Sequence, residues 1–355
     1  MSGSASEDRS DSLQAAVQAA LEQQTPVLPQ GTGSKSFYGP ACEARPLSTL
    51  EHRGIVDYDP SDLVVTVRAG TPLDELEQAL AAEGQFLGFE PPRFGGGSIG
   101  GAIGSGLSGP RRPYAGSARD FVLGVRAVDG RGRVVQYGGR VVKNVAGYDL
   151  FRPMAGSLGT LGLMLDISLR VLPLPERELA LSFQMPRQRA QSTMIDWGRQ
   201  PHPLSGMAYD GVQLRVRLSG TEAGVNAARR AMGGDEDTDG LDYWQRLRDH
   251  RVSFLEREGT LWRLSLPPAR EIRQLSGDWF IDWGGAQRWL RTRLGPDSIR
   301  RAAGRAGGHA ARFRGAGKGE PFHPLDAARL QLHQRLKAAL DPGRIFAPGR
   351  MYAEL

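Results

Sequence analysis

Apolar positions fall at helical spacing early in the chain. Leu13, Ala16, Val17, Ala20 and Leu21 share one face behind Ser12, a residue suited to capping a helix. Pro26, Val27, Leu28 and Pro29 read as a short extended segment. Residues 63–68 are β-branched and read as a strand that ends in Ala69-Gly70. Thr71-Pro72-Leu73-Asp74 opens a helix whose stripe is Leu73, Leu76 and Leu80, with Gly84 at its end. Residues 121–128 and 134–137 flank the turn Asp129-Gly130-Arg131-Gly132 and predict a hairpin. A strand over 163–172 closes the unit at Pro173.

After Pro173-Leu174-Pro175 the texture changes, and a second domain starts at 176. Strands are predicted at 179–184, 213–218 and 261–266, and helices at 221–232, 241–250 and 286–294. This order predicts an antiparallel sheet covered on one side by helices. Trp279, Trp283 and Trp289 fit its core better than a substrate wall. A last helix over 325–340 carries Leu325, Ala328, Leu332, Leu336 and Leu340. The fold class is α+β. The expected division is a disordered tail at 1–12, domains at 13–175 and 176–340, and a C-terminal tail at 341–355.

The stretch with no ordinary pattern is the most informative. Eight of the fifteen residues from Gly95 to Gly109 are glycine. Such a run costs backbone entropy, so something requires it. A linker would answer, but Ile99, Ile103 and Leu107 form an apolar row at intervals of four. Side-chain-free positions instead let a phosphate-bearing ligand approach main-chain N–H groups. Gln30-Gly31-Thr32-Gly33-Ser34-Lys35 is a second small, polar loop that suits a pyrophosphate, and it lacks the spacing of a Walker loop. Gly95-x-Gly97-x-x-Gly100 and Gly104-x-Gly106-x-x-Gly109 both match the dinucleotide fingerprint. Pro91-Pro92 before the first and Pro110 after the second remove the strand-to-helix context that motif needs.

Composition narrows the classes. A chain of 355 residues with 40% hydrophobic and 24% charged residues reads as globular and two-domain. No apolar run approaches the about 20 residues of a membrane span. Residues 1–12 lack a basic-then-apolar leader pattern. The single cysteine, Cys42, excludes an internal disulfide and a cysteine-ligated metal site, which fits a reducing cytoplasm. The net charge of +6 does not point to nucleic acid. Only four of the 45 basic residues are lysine, the arginines are spread out, and the group Arg300, Arg301, Arg305, Arg312, Arg314 lacks interleaved aromatics apart from Phe313.

Taken in order, several segments resemble the FAD-binding domain of the vanillyl-alcohol oxidase / p-cresol methylhydroxylase superfamily (PCMH-type). They are the loop near Gly31, Ser98-Ile99-Gly100-Gly101, Gly116 with Arg119-Asp120, Gly147-Tyr148-Asp149-Leu150, and Gly156-Ser157-x-Gly159-Thr160-Leu161-Gly162. Within it the chain is similar to the glycolate oxidase FAD-binding subunits. That likeness rests on residues 141–149, 281–290 and 340–350.

The resemblance implies a two-lobed FAD domain with a smaller α+β domain after it, and a tail that returns to the flavin. It implies FAD bound by Gln30, Gly31, Thr32, Gly33, Ser34, Lys35, Pro91, Gly97, Ser98, Ile99, Gly100, Gly101, Gly104 and Ser105. Gly116, Ser117, Asp120, Gly156, Gly159, Leu161 and Gly162 would close over it. Members with covalent flavin often carry a histidine near the 31–36 loop; none stands there, so non-covalent FAD is expected. The implied partners are a larger FAD-containing catalytic subunit, an iron–sulfur subunit and a small 2-hydroxy acid, in the cytoplasm, with membrane association only through the complex.

Oxidising a 2-hydroxy acid needs a base for the hydroxyl proton, a cation for the carboxylate and a hydride acceptor. The family's larger subunits carry a histidine cluster with a Gly-Asp-Gly-Asn core, which is missing here. His309 and His323 read as structural. Lys143, Tyr148 and Arg350 are the candidate catalytic groups, Asn144 beside them, and no metal site is expected. Three readings follow: an FAD-binding subunit of a glycolate oxidase complex, a self-sufficient FAD-dependent 2-hydroxy acid dehydrogenase, and a scaffold with a vestigial flavin site.

Overall fold

The computed structural model describes residues 7–139, 151–237, 239–272, 274–317 and 319–355. The chain forms two compact units: Met1–Leu107 with Gly116–Leu174 and Pro324–Leu355, and Ser108–Ala115 with Pro175–His323.

The first unit begins with α1 (Ser10–Glu22), β1 (Val27–Gln30), β2 (Arg45–Ser48), β3 (Ile55–Asp59), β4 (Val64–Arg68), α2 (Leu73–Ala82), β5 (Gln85–Phe86) and α3 (Ile99–Ser105). The short α4 (Arg112–Ala115) belongs to the second unit. The first resumes with α5 (Ala118–Phe121), β6 (Val122–Val128), β7 (Val134–Gly138), β8 (Leu163–Arg170) and β9 (Leu172–Pro173). Its main sheet runs β3-β4-β8-β6-β7, all pairs antiparallel. β1 and β2 pair in parallel beside it.

Residues 1–12 were expected as a disordered tail, and those described do not behave so. Helix α1 starts at Ser10, ahead of Ser12, with Asp8 Oδ1 accepting from the Ser10 N–H at 2.8 Å. Glu7 bridges Arg53, and the Arg9 N–H donates to Nδ1 of fully buried His52 at 3.0 Å. These partners lie over forty residues away in sequence, so local composition could not reveal them. Leu13, Val17 and Ala20 then pack on Val27, Val128, Leu163, Leu165, Ile345 and Phe346.

The second unit holds β10 (Arg177–Gln184), α6 (Arg187–Gly198), β11 (Leu204–Tyr209), β12 (Gln213–Gly220), α7 (Glu222–Met232), β13 (Asp235–Glu236), α8 (Gly240–Arg248) and α9 (Ser253–Glu256). It continues with β14 (Leu261–Ser265), β15 (Asp278–Asp282), β16 (Gln287–Arg291), α10 (Pro296–Arg305) and β17 (His309–Arg314). The sheet order is β13-β10-β12-β11-β15-β16-β14-β17, with every pair antiparallel.

Two expectations change here. The helix expected over 286–294 is strand β16, buried at all five positions. Its Gln-Arg-Trp-Leu-Arg run is too short for periodicity to separate a helix from a buried strand, and Arg291 is satisfied by the carbonyls of Phe254, Leu255, Glu258 and Gly259. The sheet is also covered on both faces. Leu214, Val216 and Leu218 of β12 pack under α6 and α7. The alternate residues Arg215 and Arg217 lie against Tyr243 and Trp244 of α8, 4.2 and 5.1 Å from the ring centres. Arginines at apolar-looking strand positions masked the second buried face.

The final helix, α11 (Ala327–Leu340), groups with the first unit although the sequence pattern joined it to the second. Its apolar row does not explain this, since Leu332 is 65% exposed. Lys337 does: buried, it pairs with Asp341 at 2.7 Å and donates to the carbonyls of Thr160 (2.7 Å) and Phe346 (2.6 Å).

Candidate functional site: a glycine-lined cleft in the first unit

β1 delivers the chain into the loop Gly31–Ser36. A Cβ on Gly31 would stand 2.0 Å from Ser98 Oγ, so the loop closes on α3 only with glycine there. Gly33 sits at φ +72°, a conformation glycine adopts without strain. The Thr32 hydroxyl donates to Gly96 O at 3.0 Å, and the Ser36 N–H donates to Gly33 O at 3.0 Å. Lys35 Nζ lies 3.4 Å from Ser34 Oγ and 5.6 Å from the centre of the Phe94 ring.

The glycine-rich run folds into α3, with Ser98 as its cap: Ser98 Oγ accepts from the Gly101 N–H at 3.3 Å. The apolar row becomes its buried side, where Ile99 and Ile103 are fully buried. The helix is stitched to the end of β4, since the Ile99 N–H donates to Thr71 O (2.9 Å) and the Gly100 N–H to Ala69 O (2.8 Å). The first-turn N–H groups therefore serve the fold, and what α3 offers a ligand is its smooth flank.

The glycines divide accordingly. A Cβ on Gly100 would stand 2.8 Å from both Ala69 Cβ and Ala69 O, and one on Gly106 would stand 2.9 Å from Gly156 Cα. These two let chains touch. At Gly101 a Cβ would meet only Ser98 Oγ at 3.3 Å, and at Gly104 only Met164 Cε at 3.6 Å. Both line a cleft of about 810 Å3, part of it open to solvent.

The far wall comes from the segment after Gly156. The Gly156 N–H donates to Ile103 O (2.9 Å) and the Leu158 N–H to Gly104 O (2.8 Å), which satisfies the C-terminal carbonyls of α3. Leu158 is held at φ +54° to do so. Lys337 fixes the same segment from beneath through Thr160 O. Arg350 completes the lining. It is 7% exposed, and its guanidinium donates to the carbonyls of Ser36 (2.9 Å), Tyr38 (2.8 Å) and Pro40. Burial lowers its pKa from the ordinary arginine value, with Cys42 opposing. In this structure Arg350 braces the 36–40 segment.

Gln30, Gly31, Thr32, Gly33, Ser34, Lys35, Ser98, Gly100, Gly101, Gly104, Ser105, Gly159, Gly162 and Arg350 line this one cleft. Pro91, Gly97, Ile99, Gly156 and Leu161 are not among the lining residues; Ile99 lies in the core, and the Gly97 carbonyl accepts from the Leu73 N–H at 2.7 Å. Gly116, Ser117 and Asp120 form the start of α5, where the Asp120 carboxylate accepts from both the N–H and the hydroxyl of Ser117. Lys143, Asn144 and Tyr148 lie outside the described residues. The lining also includes Leu28, Pro29, Ser36, Thr49, Ala69, Leu158, Leu163 and Met164, which the sequence reading did not select. Ala69 carried a signal, being a small residue between a strand and a glycine.

A long nucleotide cofactor fits these walls. The cleft has main-chain surface where Gly101 and Gly104 omit side chains, apolar surface at Leu28, Leu163 and Met164, and a cationic group at Lys35 to face a pyrophosphate. Among the described residues that line the cleft, none is histidine, cysteine or tyrosine.

Comparison with known proteins agrees. The family described as FAD binding domain matches residues 8–138. Glycolate oxidase subunit GlcE of Escherichia coli (strain K12) is 47% identical over 349 residues, 98% of this chain and 99% of that protein. Glycolate oxidase subunit GlcD of Bacillus subtilis (strain 168) is 32% identical over 163 residues, 45% of this chain and 34% of its own length. Two crystal forms of alkyldihydroxyacetonephosphate synthase superpose with TM-scores of 0.67 and 0.69 at 14% and 15% identity, covering 96% of this chain and 74% and 76% of theirs. They share the fold.

Fold and cleft together define an FAD-dependent oxidoreductase subunit built on a PCMH-type FAD-binding domain. Within that class, the chain belongs to the family of glycolate oxidase subunit GlcE.

Proposed function

We propose that this chain is the FAD-binding subunit of a glycolate oxidase complex and takes part in the oxidation of glycolate, a 2-hydroxy acid, to glyoxylate. The single observation that carries this is the 47% identity extending over 98% of the chain, which includes both units. Bound FAD would supply a redox centre for the electrons that leave the hydroxyl-bearing carbon, received by way of the partner. The chain's own residues do the holding. The loop Gly31–Ser36 and the flank of α3 at Gly101 and Gly104 take the extended cofactor, Lys35 offsets phosphate charge, and Arg350 keeps the 36–40 segment in place. Non-covalent binding is proposed because no histidine stands in the 31–36 loop of the sequence.

Substrate chemistry is assigned mainly to a partner. Among the described residues no group of three or more His, Cys, Asp or Glu side chains is placed to hold a metal, and the Gly-Asp-Gly-Asn core of the larger subunits is missing from the sequence. Arg350, one of the candidate catalytic groups, already donates to three carbonyls. The partners proposed are a larger FAD-containing subunit and an iron–sulfur subunit. Among the described residues no helix is long and apolar enough to cross a membrane.

The test is the flavin spectrum of the purified chain. FAD-loaded protein should keep its yellow colour with glycolate alone and bleach once the larger subunit is added. Bleaching by glycolate alone supports the self-sufficient dehydrogenase instead. A chain that takes up no FAD supports the scaffold.

A further inference from the structure

The second unit contains a cavity of about 780 Å3, part of it open to solvent, that FAD binding does not account for. Its floor is the middle of the eight-stranded sheet. Trp279 and Ile281 of β15 and Arg288 of β16 share one face, with Ile281 directly opposite Arg288 across the strand pair. Two apolar clusters cover that face, one built with α6 and α7 and the other with α10. The cavity lies where they meet, because Ile281 belongs to the first cluster and Trp279 and Ile272 to the second. Arg187, Gln188 and Gln191 of α6 form one wall; Glu271 and Ile272 form the other.

Arg288 is an unusual residue for that floor. It is 4% exposed, its Nε donates to Gly285 O at 3.1 Å, and its Nη2 donates to Pro268 O and Arg270 O at 3.0 and 2.5 Å. These bonds fix the guanidinium plane at the cavity edge. Burial, and then the positive charge of Arg187, lower its pKa from the ordinary arginine value to about 10, while Glu271 opposes them. Two guanidinium groups, those of Arg187 and Arg288, thus line one space with one carboxylate, Glu271, among its described lining residues. A bound carboxylate or phosphate relieves that repulsion, and Nη1 of Arg288, which donates to none of these carbonyls, is left to face it. Trp279, Ile272 and Ile281 decide between those two: they offer carbon surface that an inorganic ion does not use.

We propose that this cavity binds a small organic acid, its carboxylate held by Arg187, which lies 5.8 Å over the Trp279 ring, and by Arg288, and its carbon skeleton laid against Ile272 and Ile281. None of its lining residues lines the FAD cleft, and the proposal does not depend on what the flavin oxidises.

The test uses the full FAD-loaded chain, titrated with oxalate, malate and citrate at constant ionic strength, read by tryptophan fluorescence and calorimetry. Inorganic phosphate is the control. At least one acid should bind saturably and more tightly than phosphate. Arg187→Gln, at an exposed position, should weaken binding about tenfold or more, as loss of a charge-assisted bond does, with FAD content unchanged. Arg288→Lys keeps a charge but loses Nη1 at the cavity edge, and should weaken binding as well; if that variant fails to fold, Arg187→Gln decides. No saturable binding by the three acids, an equal response to phosphate, or unchanged affinity in Arg187→Gln would overturn the proposal.

Discussion

Gly101→Val separates a glycine kept for a ligand from one kept for the fold. At Gly101 a new Cβ meets only Ser98 Oγ, at 3.3 Å, and the branches of valine extend into the cleft. The folded protein should tolerate this, since exchanging a glycine inside a helix for valine gains a few tenths of a kcal/mol in propensity. The bound cofactor should not. Overfilling a packed contact costs about 1–3 kcal/mol, which corresponds to a roughly 5- to 150-fold loss of FAD affinity. Gly101→Ala, with one methyl group, should fall between. Gly100→Ala is the matched contrast. Its Cβ would sit 2.8 Å from Ala69 Cβ and Ala69 O, so the cost falls on folding, lowering the melting temperature by about 2–4 °C per kcal/mol. The assay is a flavin absorbance titration beside thermal unfolding of the cofactor-free chain. Wild-type FAD affinity in Gly101→Val, or a loss of melting temperature as large as that of Gly100→Ala, would refute the division of the glycines.

Three further outcomes are expected. Lys337→Met should destabilise the chain by about 3–5 kcal/mol in urea unfolding, because it leaves the fully buried Asp341 carboxylate without its cation; Lys337→Met with Asp341→Asn should recover part of that loss. Arg350→Lys keeps a charge but cannot reach the carbonyls of Ser36, Tyr38 and Pro40 together, so FAD affinity should drop about tenfold with little change in the unfolding of the second unit. The Ser10 hydroxyl, Ser10 N–H and Arg68 hold the Asp8 pKa down from 3.8 to about 2 against burial. Its contribution to stability is therefore complete above pH 3.8 and lost as the pH falls towards 2. Half-exposed, it is worth below about 1 kcal/mol, and acid unfolding of Asp8→Asn should differ from wild type above that window and converge with it below.

Much of the first unit was legible because its signals are local. The stripe Leu73, Leu76, Leu80 and the hairpin around Asp129 need no distant partner, and both form as read. The loops of the cleft were legible for a different reason: glycine at Gly31 and Gly33 records a clearance or a conformation that a side chain would forbid. What stayed hidden was held by long-range polar contacts. Lys337 gave no hint that its ammonium reaches Thr160, 177 residues away. In the second unit Arg215, Arg217, Arg288 and Arg291 are buried strand residues satisfied by carboxylates, carbonyls and ring faces. Hydrophobic periodicity scores such positions as solvent-facing, which is why β16 read as a helix and the second covered face went unseen.

Lys337 also sets an order of assembly. Apart from Arg350, the walls of the glycine-lined cleft come from residues 28–164, yet their fastenings, Lys337 and Arg350, follow the whole second unit along the chain. A growing chain that has released the glycine flank but not these two residues holds it unbraced, so the cleft is complete only after the second unit has been made.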